Sequence, residues 1–231
     1  MLSLLPFLIV LAAGPAAAPT DAPHTTPLTE IGRVRSTPIC TPIVVHANGA
    51  ITSALDNDRS LAILTTNLRA MDFDKLNSMQ LHHAIDDLMK QAGTIRQNGK
   101  LADNEIKQLR AYAAASTDPE RKAELKAFAD ALGGAIYRQT KAAAEFMRDV
   151  TIVQGREDAQ EARDIKTRDE QLPENMNAQA VASARTVLPA GPPSYNKVMR
   201  EIASDLTDRV SAINADEGIA ADHSIAATSG C

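Results

Sequence analysis

The sequence predicts an all-α protein: an antiparallel helical bundle with long helices, an extended N-terminal leader and a separate C-terminal helix. Composition is the first reason. Of the 231 residues, 44% are hydrophobic, but only 3% are aromatic and none is Trp. A core rich in Ala, Leu and Ile favours close helix–helix packing over a β-sandwich or barrel. The second reason is that apolar residues recur every three or four positions through most of the chain, which is the spacing of an amphipathic helix.

Residues 1–18 are predicted to be a signal peptide. An uncharged, apolar stretch covers residues 2–13, and small residues follow it. A signal-peptide hydrophobic region has about 7–15 residues, whereas a membrane-spanning helix needs about 20. Cleavage is predicted near residues 16–18, so that no membrane span remains and the protein is exported, to the periplasm or the extracellular space. An uncleaved membrane anchor is the alternative, because no Lys or Arg precedes the apolar stretch.

The chain contains two cysteines, Cys40 and Cys231. Export places them in an oxidising compartment, where two thiols are more often paired than free. We therefore predict a Cys40–Cys231 disulfide that joins the two ends of the mature protein. Closing so long a loop contributes at most about 5 kcal/mol to stability by the chain-entropy estimate. An intermolecular disulfide through Cys231 is the alternative.

Residues 19–45 are rich in Pro and Thr, and they predict an extended leader that contains Cys40. The helical bundle is predicted for residues 46–155. Its first helix is expected from about Ala50 to Ala70, after a turn at Asn48-Gly49. The apolar positions that predict this helix are Ile51, Leu55, Leu61, Leu64, Leu68 and Met71.

A second apolar stripe, from Leu81 to Ile95, alternates steps of four and three residues, which is the spacing of a coiled coil. Asn98-Gly99 is expected to turn the chain, and a short helix then runs through Tyr112. The segment Thr117–Glu120 matches a capping box, in which the Thr hydroxyl and the Glu carboxylate each bind a backbone N–H. It predicts the start of a helix that continues to about Val153.

Gly133-Gly134 lies inside that helix and is expected to kink it or to admit a neighbouring helix. Residues 156–193 are predicted to be a charged arm and a Pro-rich linker. Residues 194–231 are predicted to form the C-terminal helix and a tail. The apolar stripe of this helix is broad enough to pack on the bundle, on a partner or on another copy of the chain.

His82 and His83 are each followed four residues later by an aspartate, Asp86 or Asp87. On a helix this spacing brings each pair together, and a His–Asp pair can supply two ligands to zinc or another divalent metal. The four residues are a candidate metal site, and solvent-facing helix residues with weak pairing are the alternative. The further ligands that a site needs would come from elsewhere in the chain, where His24, His46 and His223 are available.

A second candidate is the segment Thr94–Glu105, which resembles the calcium-binding loop of an EF-hand. Asn98 and Gly99 match its fifth and sixth positions, and Glu105 matches the twelfth position, where that loop has a bidentate carboxylate. Thr94 and Arg96 replace the carboxylates expected at the first and third positions. The pattern therefore favours a structural turn between two helices over a calcium site.

Charge and motifs narrow the functional class. The net charge is −5, and the 24 basic residues are interspersed with 29 acidic ones, which does not favour nucleic-acid binding. The sequence contains no Ser nucleophile elbow and no Gly-rich phosphate loop after a predicted strand. We predict no cofactor and a non-enzymatic structural or protein-interaction role, through a protein partner or self-association of the amphipathic helices. The alternatives are a divalent-metal or small-ligand binding protein of the cell envelope, and a hydrolytic enzyme whose site carries no recognisable motif.

Overall fold

Four long helices make up nearly all of the chain that the structure describes. The structure, a computed structural model, covers residues 27–32, 38, 40–171 and 195–228. Within these ranges there are no strands, and the predicted all-α class is confirmed. The helices are α1 (Cys40–Ala70), α2 (Ser78–Ala115), α3 (Pro119–Gln171) and α4 (Tyr195–Thr228), and a short 3-10 helix, Phe73–Lys75, lies between α1 and α2.

Helices that are neighbours in sequence run antiparallel. Gly99 of α2 faces Thr140 of α3, whereas Ile106 faces Gly133, so residue numbers rise along α2 as they fall along α3. Short connections between helices favour this arrangement, and only residues 116–118 separate α2 from α3. α4 packs against both α3 and α1 and thereby completes the bundle. The predicted antiparallel helical bundle is confirmed.

The core follows a heptad-like pattern along each helix. Buried positions alternate between steps of three and four residues, the spacing that keeps one seam of side chains facing the neighbouring helices. In α1 and α2 the buried residues of this pattern are Ile43, Ala47, Ala50, Ala54, Asn57, Leu61, Leu64 and Leu68, followed by Leu81, Ile85, Leu88, Ala92, Ile95, Gly99, Ala102, Ile106, Leu109 and Ala113.

The C-terminal helix belongs to the same bundle as the other three. Met199, Leu206 and Ile213 lie in one apolar cluster of the core, and Ala220 and Ala227 lie in the other. The apolar stripe of α4 therefore packs against the other helices of the bundle. The segment that precedes this helix, residues 172–194, lies outside the described residues.

α1 begins earlier than the sequence predicts. Cys40 is the first residue of the helix and is buried, so its predicted placement in an extended leader is wrong. Pro42 is compatible with this start, because the first turn of a helix does not need its backbone N–H groups. The predicted turn at Asn48-Gly49 is also wrong. The Asn48 side chain instead binds the backbone of Ile31, accepting from its N–H at 2.7 Å and donating to its carbonyl oxygen at 3.0 Å.

α2 is continuous through the predicted turn at Asn98-Gly99. Residues 94–105 are helical, so the calcium-loop hypothesis is wrong. Gly99 is buried because α3 approaches α2 at this position, and a Cβ atom there would overlap the Thr140 hydroxyl. Tertiary packing has overridden a local preference for a turn, since the absent side chain is what permits the close approach.

The helix starts are fixed by side-chain caps. Asn77 accepts a hydrogen bond from the backbone N–H of Gln80 at 2.9 Å, and the Gln80 side chain accepts one from the backbone N–H of Asn77 at 3.1 Å. α3 begins within the predicted capping segment, but Asp118 is the cap, accepting from the N–H of Glu120 at 3.0 Å. Pro119 then occupies the first helical position, where its fixed φ is suitable.

α3 continues well beyond the predicted end of the bundle, to Gln171, so the first part of the predicted charged arm is helical. The Gly133-Gly134 pair does not break it. Gly133 faces Ile106 of α2, and Gly134 faces Asp216 of α4. The two glycines therefore admit neighbouring helices on both sides, which was one of the two expectations for this pair.

We expect Gly99→Ala to destabilise the protein relative to Gly93→Ala. An alanine at position 99 displaces the Thr140 hydroxyl from its 2.8 Å hydrogen bond with the Ile136 carbonyl oxygen. Such overpacking costs roughly 1–3 kcal/mol. Nothing lies within 4 Å of a Cβ atom at Gly93, so the gain in helix propensity there stabilises the protein by up to about 1 kcal/mol. Urea unfolding of both variants measures the difference.

Thr140→Ala supplies the control, because it removes the atom that the new methyl group would overlap. In that background the penalty of Gly99→Ala should disappear. Equal effects of the two glycine substitutions in the parent protein would contradict the close approach of α2 and α3 at this position.

Candidate functional site

A layer of polar and small residues divides the core into two apolar clusters. Each helix contributes one residue to this layer at a core position of its heptad pattern: Asn57, Gly99, Gln139 and Glu217. On every helix the apolar core residues before this position belong to one cluster and those after it to the other. Asn57 and Gln139 are 0% exposed and Glu217 is 7% exposed. These four residues are called the polar layer below.

The Gln139 side chain is the centre of the polar layer. Its Oε1 accepts a hydrogen bond from Asn57 Nδ2 at 3.1 Å. Its Nε2 lies 3.0 Å from the Ala54 carbonyl oxygen, 2.8 Å from Asp58 Oδ1 and 2.8 Å from Glu217 Oε1. An amide nitrogen carries two hydrogens, so three acceptors compete for two donors. Gln139 thereby connects α3 to α1 and α4 at one level of the bundle.

Asp58 and Glu217 form a carboxyl pair across α1 and α4. Burial raises the pKa of Glu217 to about 9, and its hydrogen bond with Asp58 and the Asp58 charge add to this shift. Burial also raises the pKa of Asp58, against the lowering effect of its hydrogen bonds with Glu217 and Gln139. The two carboxyl groups therefore favour sharing one proton at pH 7, with Glu217 as the donor and Asp58 as the acceptor.

The charged residues near this pair do not counteract the effect of burial on the pKa of Glu217. Asp216 also raises the pKa of Glu217, and its carboxylate binds Arg138 Nε at 2.7 Å. The Arg138 side chain is half exposed, so this ion pair lies at the outer side of the α3–α4 contact. The Arg138 guanidinium is thus paired with Asp216.

Asn57 keeps one polar atom unmatched. Its Oδ1 is buried and has no hydrogen-bond partner among the described residues. A buried acceptor without a donor costs about 1–3 kcal/mol. This atom therefore carries a cost in stability that an apolar side chain at position 57 would not have.

Two surface grooves lie along α4. One, of about 310 Å³, runs between α3 and α4, where Arg209 pairs with Glu145 and Arg138 pairs with Asp216. The other, of about 440 Å³, lies at the start of α4 and is lined by Asp74, Asn196, Lys197, Arg200, Glu201 and Ser204. In the first groove, both guanidinium groups are paired with carboxylates, and Lys141 also lines the groove.

The predicted metal-site residues lie along the outer side of α2. His82 is half buried, and His83, Asp86 and Asp87 are exposed. Asp87 Oδ1 pairs with Lys90 Nζ at 3.1 Å. In the described ranges of the chain, no three His, Cys, Asp or Glu side chains form a group that could hold a metal ion.

The other described histidines are far from these residues. His46 Nδ1 lies 2.6 Å from Glu105 Oε2, and Glu105 is separated from His82 by a run of α2 that is roughly 35 Å long at about 1.5 Å per residue. His223 Nδ1 lies 2.8 Å from Glu124 Oε2, near the start of α3. His24 lies outside the described residues. Metal binding at His82, His83, Asp86 and Asp87 stays a prediction.

The predicted disulfide also stays a prediction, because Cys231 lies outside the described residues. Cys40 is buried at the start of α1, next to the apolar cluster that contains Ile43 and Ala227. The signal peptide predicted for residues 1–18 lies outside the described part of the chain as well.

Sequence reasoning missed the polar layer, although the pattern carried a signal for it. The apolar stripe of α3 steps from Ile136 to Ala143 and omits the core position between them, which Gln139 occupies. Asn57 and Glu217 fill the corresponding gaps in α1 and α4. A polar residue at a heptad core position is a recognised device for setting register, so these gaps were the available clue.

Fold and site together define a class: an all-α, antiparallel helical bundle with one buried polar layer. Comparisons with known proteins add no family to this class, because no protein-family model, no curated protein and no solved structure matches the chain. None of the helices in the described ranges is both long and apolar enough to cross a membrane.

We expect Glu217 to make the protein less stable as pH rises. The folded state holds a proton on Glu217 up to a pKa of about 9, whereas the unfolded state releases it near the usual 4.5. Stability from this group is full below pH 4.5 and falls between these values, by at most about 1.4 kcal/mol per pH unit. Glu217→Gln should flatten this dependence, as measured by urea unfolding at pH 5 and pH 8.5.

Glu201→Gln is the matched control, because Glu201 is exposed on the same helix. It should keep the pH dependence of the parent protein. Parallel pH profiles for the parent protein and Glu217→Gln would mean that Glu217 is ionised in the folded state.

Proposed function

We propose that the protein is an exported helical-bundle protein with a non-enzymatic structural or protein-interaction role, whose ends are joined by a Cys40–Cys231 disulfide. The observation that carries this proposal is the way the bundle uses its buried polar groups. Asn57, Gln139 and Glu217 bind one another or the adjacent Asp58 between helices. Such an arrangement specifies how helices pack, whereas an enzyme needs its polar groups to face a substrate.

Export is supported by the sequence of residues 1–18, and the disulfide is supported by the register of α1 and α4. Asp58 lies beside Glu217, and Arg69 Nη2 donates to Thr207 Oγ1 at 2.8 Å, so the two helices are antiparallel. From Asp58 back to Cys40, α1 runs for roughly 27 Å at about 1.5 Å per residue. From Glu217, which lies beside Asp58, α4 runs roughly 16 Å in the same direction before it ends at Thr228. The remaining residues up to Cys231 can span the last ~10 Å if extended.

A protein-interaction role is supported by the length of α3. Because Gly99 faces Thr140, the first residue of α2, Ser78, lies at the level of residue 161 or so of α3. α3 continues from there to Gln171, roughly 15 Å farther at about 1.5 Å per residue. This end of α3 extends past the start of α2, in a segment rich in charged residues of both signs. We infer that a partner binds along this end of α3, where Ala162 is exposed.

Mass spectrometry of the protein from the exported fraction of its host tests location and disulfide together. The mature chain should begin near residues 17–19 and should gain two hydrogens on reduction. Cys40→Ser should lower the free energy of unfolding in oxidising buffer by up to about 5 kcal/mol. An unchanged melting temperature for Cys40→Ser, or a covalent dimer lost in Cys231→Ser, would contradict a disulfide within one chain.

Site-specific photo-crosslinking in the host tests the interaction role. A photoreactive amino acid at Ala162, which is exposed on the part of α3 that extends beyond the bundle, should give a discrete adduct. The same amino acid at Ala114, which is exposed near the end of α2, should not give that adduct. The same adduct from both positions, or none from Ala162, would argue against a partner at this end of the molecule.

A further inference from the structure

We propose that Asp58 and Glu217 form a proton lock: one proton shared by the two carboxyl groups holds α4 in the bundle, and its loss lets the middle of α4 separate from α1 and α3. The basis is geometric. Gln139 Nε2 lies 2.8 Å from an oxygen of each carboxyl group, so both groups converge on one nitrogen inside the core. This inference goes beyond the proposed function and does not depend on it.

The lock depends on which charges face Glu217. α1 contributes Asp58, α3 contributes the neutral Gln139, and α4 itself contributes Asp216. Arg138 of α3 pairs with Asp216, the residue next to Glu217. The short 3-10 helix also packs against α4, and its Asp74 accepts a hydrogen bond from the backbone N–H of Asn196 at the far end of α4.

One proton therefore decides whether this cluster is compatible with burial. With the proton, a neutral acid donates to a carboxylate and the N–H groups of Gln139 complete the contacts. Without it, two carboxylates face one amide nitrogen in apolar surroundings, and both repulsion and desolvation oppose the packed state. Separation of α4 relieves both costs, because water then reaches the carboxylates.

α4 is the helix on which loss of the proton acts, and its contacts beside Glu217 include the ion pair between Arg138 and Asp216. The residues around Glu217 on this helix are small, Gly218, Ala220 and Ala221, and they bury little apolar area. Residues 71–77 and 116–118 join α1, α2 and α3 closely, whereas residues 172–194 precede α4.

The two ends of α4 are held by other contacts. Near its start, Asn196 accepts from the backbone N–H of Phe73 at 2.7 Å and donates to Asp72 at 2.7 Å. Near its end, His223 contacts Glu124 at 2.8 Å. Between these ends Arg138 pairs with Asp216 and Arg209 pairs with Glu145, so opening of the middle of α4 also breaks these two ion pairs. It exposes the apolar side chains of α4 that pack on α3.

Glu217 titrates within a pH range that is accessible to experiment. The pKa of Glu217 is about 9 in the closed bundle and about 4.5 when the carboxyl group is exposed. Between these values the open state releases one proton that the closed state keeps. The equilibrium constant for opening then rises by about tenfold per pH unit as pH increases.

Hydrogen–deuterium exchange of the full mature protein tests this inference. Exchange is measured from pH 5.5 to pH 8.5, with exchange times scaled to the intrinsic rate at each pH. The equilibrium constant for opening of residues 206–222 should increase by up to about a thousandfold over this range. The equilibrium constant for residues 85–95 of α2 should show no such increase. In Glu217→Gln the increase should be absent, and in Glu201→Gln it should persist.

Carbon-13 NMR of the glutamate carboxyl groups gives an independent reading in the parent protein. One resonance should have the chemical shift of a neutral acid at pH 7 and should be absent from Glu217→Gln. The proposal is overturned if every glutamate is ionised at pH 6, if α4 and α2 respond equally to pH, or if Glu217→Gln keeps the pH-dependent opening.

Discussion

The hydrogen bonds of Gln139 are the constraint on which the rest of the bundle depends. A heptad-patterned core rich in alanine and leucine can be satisfied at several registers, because a shift of one heptad again places apolar residues opposite each other. Buried amides and carboxyls do not tolerate such a shift, because each must find a partner inside the core. Gln139 finds its partners on α1 and α4 at one level only, so it fixes the axial positions of three helices together.

α2 is positioned at the same level by Gly99, which has no side chain. Gly99 lets α3 approach α2 where Thr140 lies, and it thereby completes the polar layer without adding another polar group that would need a partner. Polar contacts at the two ends of the bundle further stabilise the helix register that the polar layer sets. Asn48 binds the backbone of Ile31 at one end, and Asn196 binds Asp72 and the backbone of Phe73 at the other. Each of these asparagines joins segments that are at least 17 residues apart in sequence.

The same layer that fixes register makes the bundle sensitive to protons. Glu217 is buried beside Asp58, and Arg138 is occupied by Asp216, so the folded state retains a proton that the unfolded chain releases. Specificity of packing and dependence on pH are thus two consequences of one physical fact, which is that charge is expensive inside an apolar core. An apolar residue at position 217 would remove the titrating group and the hydrogen bond between Gln139 and α4, while the hydrogen bonds between Gln139 and α1 would remain.

The sequence by itself determined the helical class, the apolar stripes and the start of α3 within its capping segment, because these depend on local periodicity and on side chains that bind nearby backbone. It misjudged Asn48-Gly49 and Asn98-Gly99, since a turn preference of under a few kcal/mol yields to packing between helices. Only the tertiary structure decided that Asn57, Gln139 and Glu217 meet in one layer and that His82 is far from His46. Contacts between residues tens of positions apart depend on the relative register of the helices, and no local pattern encodes that register.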